Sequence, residues 1–566
     1  MEKPLYWFSS TRPKSGCPDL SHLEIGVFAA AHSHEEAPTQ TGSATVIPMY
    51  RTLALLLLLT TPLTAQSKWA HLGPNGRLVY AQSPSGDHIV DFSYAGYHAG
   101  GVALPNVPVI RTLKPSGADD TAAIQSAIDA VSALPLASRG AIQLAPGVFH
   151  LATTLNITAS GIVLRGSGPD ETTGTTLQLT GDPHLGIKIA GDFKQTNLSK
   201  PTILTDTYVP SGAYVIHVAD ASTIHPGDTL LLVKPVTPAW LKFMGMDTLQ
   251  RPGVPEHWVG EDLTVRRRVA AVNGNAVTLA VPLTDNIDTK FLNGVQPPVT
   301  RIEVTGQLSE TAVEDLRIAA PARSVNYRED KEFDGIDMTA VVDSWVRNVV
   351  LQDTTNSISI ALNTERITVV KVDVQQRFAV TSSAKNFEFS ANGTQILFDR
   401  ITGHGDDVFF FATQARQQGP VVVLHCRFTG DGRIEPHQRW STGLLVDSCD
   451  VPNGGINLKN RGTMGSGHGW TIGWSVLWNN TTASLLVQQP PGTANWSIGD
   501  RGDQQSAAMP VTGSHGHGPL LPGGIIESPN KPVQPASLYL EQLRERLGPT
   551  ALTNIGYSPT DLTTHP

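Results

Sequence analysis

Two ten-residue segments, GPVVVLHCRF at 419–428 and STGLLVDSCD at 441–450, determine the fold of this chain. Each is an apolar run of strand type with a cysteine near its end. Comparable segments follow one another at roughly 21 to 28 residues, the spacing of stacked repeat units. They begin at residues 344, 365, 394, 419, 441 and 469. The repeat predicts a solenoid in which positions such as Leu445 point inward. Cys426 lies above Cys449 in this prediction, as free thiols or as a disulfide.

The N-terminal part of the repeat region contains a different pattern. GADDTAAIQSAIDAVSALP at 117–135 has the spacing of a helix that Asp119 or Asp120 can cap, and strand-like segments follow as far as LRGSG at 164–168. This order resembles the start of pectate-lyase-like right-handed parallel β-helix proteins, in which a helix closes the open end of the solenoid. The resemblance implies an all-β, right-handed parallel β-helix with a capping helix.

The remaining segments complete a predicted domain plan. The period breaks in the third hundred residues, where a hairpin around Gly274 indicates a small inserted β subdomain. QPASLYLEQLRERLGP at 534–549 predicts a C-terminal helix that packs on the solenoid through Leu538, Leu540, Leu543 and Leu547. The plan has a linker at 66–108, the β-helix start at 109–200, the insertion at 201–300, rungs at 301–530, and the C-terminal helix and tail at 531–566.

A signal for export lies inside the N-terminal region. MYRTLALLLLLTTPLTAQS begins at Met49 with a basic residue, an apolar run and small residues, which is typical of a secretory signal and too short for a membrane span. The segment predicts a signal peptide at 49–65 and a misassigned extension at 1–48. We therefore expect a bacterial protein that is secreted or periplasmic, with no membrane segment in its mature form.

Composition excludes some partner classes. The net charge is −9, from 41 basic and 50 acidic residues, so no basic field argues for nucleic acid. The cysteine and histidine spacing does not resemble a zinc site. No cofactor is predicted, calcium stays open, and the sequence says nothing of the oligomeric state.

A cluster of charged and aromatic residues lies in RIEPHQRWSTG at 433–443. LKNRGTMGSGHGW at 458–470 occupies the equivalent place one rung later, and turns at equivalent places stack in a solenoid. We expect two groups of side chains to converge: basic candidates for catalysis or binding, and indoles that offer ring faces to sugars. They are His437, Arg439, Lys459, Arg461 and His468, with Trp440 and Trp470.

Such a cluster fits β-elimination on a uronate-containing polysaccharide. That reaction needs cations that neutralise the carboxylate and a base that removes the proton at C5. Arg439 and Arg461 supply bidentate forks for the carboxylate, and His437 or His468 supplies the base. Without catalysis, the same residues would form a glycan-binding surface, and each indole could equally belong to the core.

Three aspartates offer an alternative. FDGID at 333–337 and GDDVFF at 405–410 resemble the polygalacturonase family of glycoside hydrolases, which share the β-helix and use aspartates on neighbouring rungs. The matching positions are Asp334, Asp406 and Asp407, although the basic elements of that family are not in their expected context. The resemblance implies substrate binding or paired-carboxylate hydrolysis. Alternatively, these aspartates bond tight turns, as we expect for one of the two neighbours Asp406 and Asp407.

Several segments together resemble a bacterial group of secreted pectate-lyase-like proteins. They include DFSYAGY, EPHQRWSTGLLVD, GSGHGWTIGW and SLYLEQLRERLG, and they span most of the chain after about residue 90. The resemblance implies a carbohydrate-active enzyme with a polysaccharide substrate. We therefore expect a polysaccharide lyase, with a glycoside hydrolase or a non-catalytic glycan-binding solenoid as alternatives.

Overall fold

A computed structural model describes residues 65–249, 258–378, 380–381, 384–511 and 518–564. The extension predicted at 1–48 lies outside these residues, and so does the signal segment predicted at 49–65, apart from its last residue. No helix in the described ranges is long and apolar enough to cross a membrane. The described residues all belong to one unit, residues 62–566.

Most strands pair in parallel with the strand of the preceding rung, so the protein is an all-β parallel β-helix, as predicted. Within the described residues, the strands of the solenoid form one sheet of twenty-eight strands. They are Val109–Leu113, Ala141–Leu144, Gly147–Leu151, Leu155–Ile157, Val163–Arg165, Thr175–Leu179, Leu185–Ala190, Leu308–Ser309, Ala312–Ala319, Asp334–Thr339, Val341–Gln352, Ile358–Ile360, Glu365–Gln375, Phe387–Ala391, Thr394–Asp399, Thr402–His404, Phe409–Thr413, Gln418–Leu424, Arg427–Thr429, Arg433–Ile434, Ser441–Asp447, Asp450–Leu458, Ile472–Gly473, Ser475–Trp478, Thr481–Val487, Asn495–Ile498, Arg501–Gln505 and Ile525–Glu527.

Columns of stacked apolar side chains, one from each rung, fill the inside of the solenoid. One column runs through six consecutive rungs in strict register, and each member is buried in the main core. Its members are Val346, Val369, Phe398, Val423, Val446 and Leu477. Because successive strand residues alternate between the two faces, this register fixes which side chains of each rung point outward.

The two cysteines stack as predicted. Cys426 and Cys449 lie on adjacent rungs, both are buried, and both are free thiols. The Cys426 backbone N–H donates to Sγ of Cys449 over 3.4 Å. Burial raises the pKa of the Cys449 thiol, so this thiol remains protonated as part of the core.

The predicted capping helix spans Thr121–Ser132. Its buried face enters the main core at the first rungs, through Ile124, Ala127, Ile128 and Val131. Asp119 Oδ1 accepts a hydrogen bond from the Thr121 N–H over 3.0 Å at the start of the helix. The helix therefore covers the apolar end that stacking leaves open.

An antiparallel subdomain interrupts the solenoid between Ala190 and Leu308. Its main sheet has seven strands and its own core. The strands are Lys194–Asn197, Thr202–Ile203, Val215–His217, Thr229–Lys234, Leu263–Asn273, Ala276–Leu279 and Pro298–Thr305. Tyr208–Val209 pairs with Ile287–Asp288 beside it. The hairpin turn at Gly274 has a positive φ of 58°, as the sequence predicts.

An N-terminal arm and the C-terminal helix cover one outer face of the solenoid. The arm pairs Ala70–Leu72 with Leu78–Tyr80, and Ala65–Gln66 pairs with Val533–Gln534. The C-terminal helix spans Leu538–Leu547 and ends at Gly548, followed by Pro549–Asn554. The other short helices are Pro238–Phe243 and four 3-10 turns, Tyr97–Ala99, Leu136–Ser138, Thr289–Phe291 and Pro559–Leu562.

This outer layer corrects two sequence-based predictions. Leu445 points outward rather than inward, and it is buried because the C-terminal helix and the arm cover its face. Leu547 was expected on the packing surface of the helix, but its side chain is 45% exposed. Asp447 anchors the helix by accepting from Ser537 Oγ and the Tyr539 N–H, both over 2.8 Å.

Replacing the inward neighbour Leu444 tests the register. Leu444 is fully buried in the main core, one rung above Val421. Leu444→Ala should lower the free energy of unfolding by about 2 to 5 kcal/mol, because a cavity remains in a packed column. Urea unfolding measures the loss, and Leu362→Ala, at a side chain that is 57% exposed, is the control. Equal stability of the two variants would contradict the register.

Candidate functional site

The strand register brings the two predicted turns together. Arg433 and Ile434 pair with Gly455 and Ile456 on the next rung. Beyond these strands the turns stay bonded: the Arg439 N–H donates to the His468 carbonyl, and the Trp440 N–H to the Trp470 carbonyl, each over 3.0 Å. The convergence predicted for the basic residues is therefore present in the structure. We call His437, Arg439, Lys459, Arg461 and His468 the basic cluster.

His437 lies half-buried at the centre of this cluster. Its ring contacts His468 and Phe387 edge-on, at centroid distances of 4.7 and 5.1 Å. Its Nδ1 lies 3.1 Å from Oε1 of Gln414. Because an amide oxygen only accepts hydrogen bonds, Nδ1 carries the proton and Nε2 holds the lone pair.

Burial, together with the nearby Arg461 and Arg439 charges, lowers the pKa of His437 to about 3. The imidazole is therefore neutral at physiological pH. A neutral ring in the Nδ1–H tautomer is the form that can accept a proton at Nε2.

Two cations of the basic cluster contact a buried carboxylate, Glu435, which is 4% exposed. Lys459 Nζ lies 2.8 Å and Arg461 Nε 3.3 Å from its two oxygens, and Asn457 donates to it over 2.6 Å. Arg461 also donates to the His437 carbonyl over 3.0 Å. Glu435 therefore fixes two cations beside His437.

Arg439 approaches the same place from the other side. Its Nη2 donates to Oγ of Ser466 over 2.8 Å, in the glycine-rich turn that also carries His468. Gly465 is required there, because a Cβ at this position would lie 2.1 Å from Nε2 of His468. With His437 neutral, the positive charges next to its ring come from Arg461 and Arg439, and cationic side chains favour an anionic ligand.

The two predicted indole platforms are not at the surface. Trp440 is fully buried and Trp470 is 2% exposed, in a cluster with Trp240 and Trp258. The Trp440 indole N–H donates to Oδ2 of Asp285, and that of Trp470 to the Met244 carbonyl. Both rings bind the inserted subdomain to the solenoid, which corrects the prediction that they offer exposed faces beside the basic cluster.

Asp406 and Asp407 form hydrogen bonds with a neighbouring turn, as the alternative to a catalytic role predicts. Asp406 Oδ1 accepts from the Asp431 N–H over 3.1 Å, and the Asp407 N–H donates to Asp431 Oδ1 over 2.6 Å. Asp407 also forms an ion pair with Lys385. The first aspartate therefore holds two successive turns together, while the second faces solvent beside a lysine.

Asp334 lies too far from these two residues to act with them. Its strand is three rungs away from Phe409, about 14 Å along the solenoid axis at the usual strand spacing. Paired carboxylates of glycosidases are roughly 5 to 10 Å apart. The strand spacing therefore places Asp334 further from Asp406 and Asp407 than such a pair of carboxylates requires.

Asp334 has a different carboxyl neighbour, Glu332, which lies just before the polygalacturonase-like motif FDGID. Asn356 Nδ2 donates to both groups, over 2.9 Å to Asp334 and 3.1 Å to Glu332. The Asn356 backbone N–H also donates to Asp334 over 2.9 Å. Asn356 comes from the next rung, so sequence spacing alone gave no signal for this acidic pair, Glu332 and Asp334.

The environments of the acidic pair differ. Burial, together with the Asp334 charge, raises the pKa of Glu332 to about 8. Burial also raises the pKa of Asp334, but two hydrogen bonds from Asn356 oppose the shift. Glu332 is therefore the member that holds a proton near neutral pH.

The acidic pair and the basic cluster lie along one side of the solenoid. Asp334, Asn356, Phe387 and Phe409 occupy equivalent positions on four successive rungs, and the Phe387 and Phe409 rings both contact His437. Within the described residues, no three His, Cys, Asp or Glu side chains meet as metal ligands.

No family model matches the chain, and no curated protein matches it in sequence. Among solved structures it is similar to the tailspike gp49 of Pseudomonas phage LKA1, at 12% identity over 69% of this chain and 70% of that one, TM-score 0.32. The Gp54 tailspike of Acinetobacter baumannii bacteriophage AP22, solved with a capsular saccharide, matches at 11% identity over 75% of each chain, TM-score 0.26.

A third similar structure is the A-module of the mannuronan C-5 epimerase AlgE6 of Azotobacter vinelandii. It matches at 10% identity over 69% of this chain and 84% of that module, TM-score 0.26. At these scores the parallel β-helix rests on the strand pairing of this chain itself.

The raised pKa of Glu332 predicts a specific pH dependence of stability. Its pKa in the folded protein, about 8, lies above the ordinary value of 4.5, so the stability it contributes is greatest below about pH 4.5 and is lost as pH rises toward 8. Glu332→Gln keeps the shape but cannot ionise. The variant should lose less stability between about pH 5 and about pH 8 than the wild type. Urea unfolding midpoints at both pH values measure this, and parallel curves for the two proteins would refute it.

Proposed function

We propose that this protein is an enzyme that cleaves an acidic, uronate-containing polysaccharide by β-elimination. One observation carries the proposal: a neutral imidazole, His437, lies beside Arg461, which Glu435 holds in place together with Lys459. A uronate carboxylate is attracted to these cations. Export to the cell surface or periplasm, as the signal-like segment predicts, would place the enzyme where such polysaccharides occur.

In this mechanism the uronate carboxylate binds Arg439 and Arg461. Their charges stabilise the electron density that moves onto the carboxylate as the C5–H bond breaks. Nε2 of His437 takes the C5 proton, because its lone pair is available at neutral pH. The electron pair of the C5–H bond forms the C4–C5 double bond, and the glycosidic oxygen leaves from C4 with its bonding pair. A proton from solvent or from the resulting imidazolium neutralises that oxygen.

His468 and Lys459 support this arrangement. His468 packs edge-on against His437 and carries the carbonyl that accepts from the Arg439 N–H. Lys459 is paired with Glu435 at the edge of the basic cluster, and its side chain is 21% exposed. Lys459 therefore adds positive charge where a polyanionic chain would continue past the cleaved bond.

A second candidate function is glycoside hydrolysis at the acidic pair. Its specific support is the protonated Glu332 beside Asp334, the division of roles that a general acid and a nucleophile require. In this version the basic cluster would bind the acidic chain four to five rungs further along the same side of the solenoid. The two functions give different products, since only elimination leaves an unsaturated uronate.

Turnover on a panel of uronate-containing polysaccharides tests the proposal. Elimination generates ultraviolet absorbance from the unsaturated product, whereas hydrolysis generates only reducing ends. His437→Ala and Arg439→Ala should each lower kcat by about a hundredfold or more, because a base or a desolvated charge contact is worth several factors of ten in rate. Glu332→Gln should reduce turnover far less.

The matched control is His217→Ala, an exposed histidine of the inserted subdomain, which should keep wild-type activity. Melting temperatures of all variants should agree within a few degrees, so that lost activity reports chemistry. The elimination mechanism fails if His437→Ala retains turnover. Reducing ends without absorbance, together with loss of activity in Glu332→Gln, would assign the reaction to the acidic pair.

A further inference from the structure

A cavity of about 330 Å³ lies where the N-terminal arm, the inserted subdomain and the solenoid meet. We call it the aromatic cleft. Each of the three parts contributes aromatic side chains to its lining. They are Trp69 from the arm, Tyr208, Phe243 and Phe291 from the subdomain, and Trp474 and Trp496 from the solenoid.

These rings combine a fixed wall with accessible faces. Trp474 and Trp496 are almost fully buried, with ring centroids 6.2 Å apart, and Trp69 packs edge-on against Trp496 at 5.8 Å. Phe243 and Phe291 stack at 3.8 Å and are half-buried. Flat rings of this kind pack against the C–H faces of pyranose sugars, and a cavity of this volume falls in the range of small-molecule sites.

Three indole N–H groups in the lining have no hydrogen-bond partner. The Nε1 atoms of Trp69, Trp474 and Trp496 are buried and make no hydrogen bond within the described residues. Buried tryptophans usually pair this group, as Trp440 does with Asp285. These three rings therefore form a fixed aromatic wall whose N–H groups are not accessible to solvent.

The cations of the aromatic cleft are already paired. Lys234 Nζ lies 2.9 Å from Asp285 Oδ2, and Lys290 Nζ lies 3.6 Å from Asp288 Oδ2 at the edge. Asp87 accepts from the Tyr208 hydroxyl over 2.8 Å and from the Ser211 N–H over 2.9 Å. Two ammonium groups and three carboxylates therefore lie in or beside the cleft, so an anionic sugar gains nothing over a neutral one.

We propose that the aromatic cleft is a binding site for neutral sugar residues. Aromatic faces and amide side chains such as Asn286 and Gln489 match the apolar faces and hydroxyls of a neutral pyranose. The site is separate from the proposed catalytic cluster and goes beyond the proposed function. It gives the protein a second glycan-recognition surface with a different charge preference.

The segment at 437–440 lies between the two surfaces. His437 and Arg439 belong to the basic cluster, while Trp440 lines the aromatic cleft and is tied to Asp285 of the inserted subdomain. The inserted subdomain thus supplies one wall of the cleft and is anchored directly beside the basic cluster. A glycan with both neutral and acidic residues can engage both surfaces.

Titration of the full-length mature protein with neutral hexasaccharides tests the proposal. The probes are cellohexaose, maltohexaose, mannohexaose and xylohexaose, with hexagalacturonate as the acidic comparison. Isothermal titration and tryptophan emission give the readouts. At least one neutral probe should bind with a Kd below about 1 mM, and Phe291→Ala should weaken that binding at least about tenfold. Gln489→Ala should weaken it as well, through a hydrogen-bonding group rather than a ring.

Phe193→Ala is the matched control, because Phe193 is also half-buried in the inserted subdomain but packs on Arg266 away from the cleft. This variant should bind like the wild type. The proposal is overturned if no neutral hexasaccharide binds, if only hexagalacturonate binds, or if Phe291→Ala and Gln489→Ala both bind like the wild type. Neutral binding in a protein that never cleaves uronates would contradict only the proposed function, and turnover without neutral binding would contradict only the cleft.

Discussion

Vertical register between rungs is the constraint on which the rest of the structure depends. Inward columns of Val, Leu, Ile and Phe hold each rung directly over the previous one, and a slip of one residue would turn every such column outward. The same register stacks the turns that carry His437 and His468, although these residues lie on separate rungs. Packing inside the solenoid therefore positions the polar groups outside it.

The electrostatics of the basic cluster follow from that positioning. Burying Arg461 and Lys459 would be costly without a counter-charge, and Glu435 supplies one at hydrogen-bond distance to both. Burial and the nearby Arg461 and Arg439 charges together keep His437 uncharged. A base and its neighbouring cations can thus exist side by side, because each makes protonation of the imidazole less favourable.

Local sequence patterns predicted the strands and helices, whereas the surroundings of several side chains depend on contacts between distant segments. The strand repeat, the helix at Thr121–Ser132 and the convergence of the basic residues were visible from spacing. The outward direction of Leu445 was not, because its apolar character reflects a helix almost a hundred residues later that covers it. The burial of Trp440 under the inserted subdomain and the pairing of Glu332 with Asp334 through Asn356 likewise depend on contacts between distant segments.

The charge state of His437 is the central claim, and nitrogen-15 NMR of its imidazole measures it most directly. The signals are assigned by their absence in His437→Gln and followed from about pH 5 to about pH 8, the range in which an unperturbed histidine titrates. The structure predicts a neutral ring throughout, with the proton on Nδ1 and a lone pair on Nε2. An imidazolium that titrates near the ordinary histidine value, or a proton on Nε2, would contradict a base poised for proton abstraction.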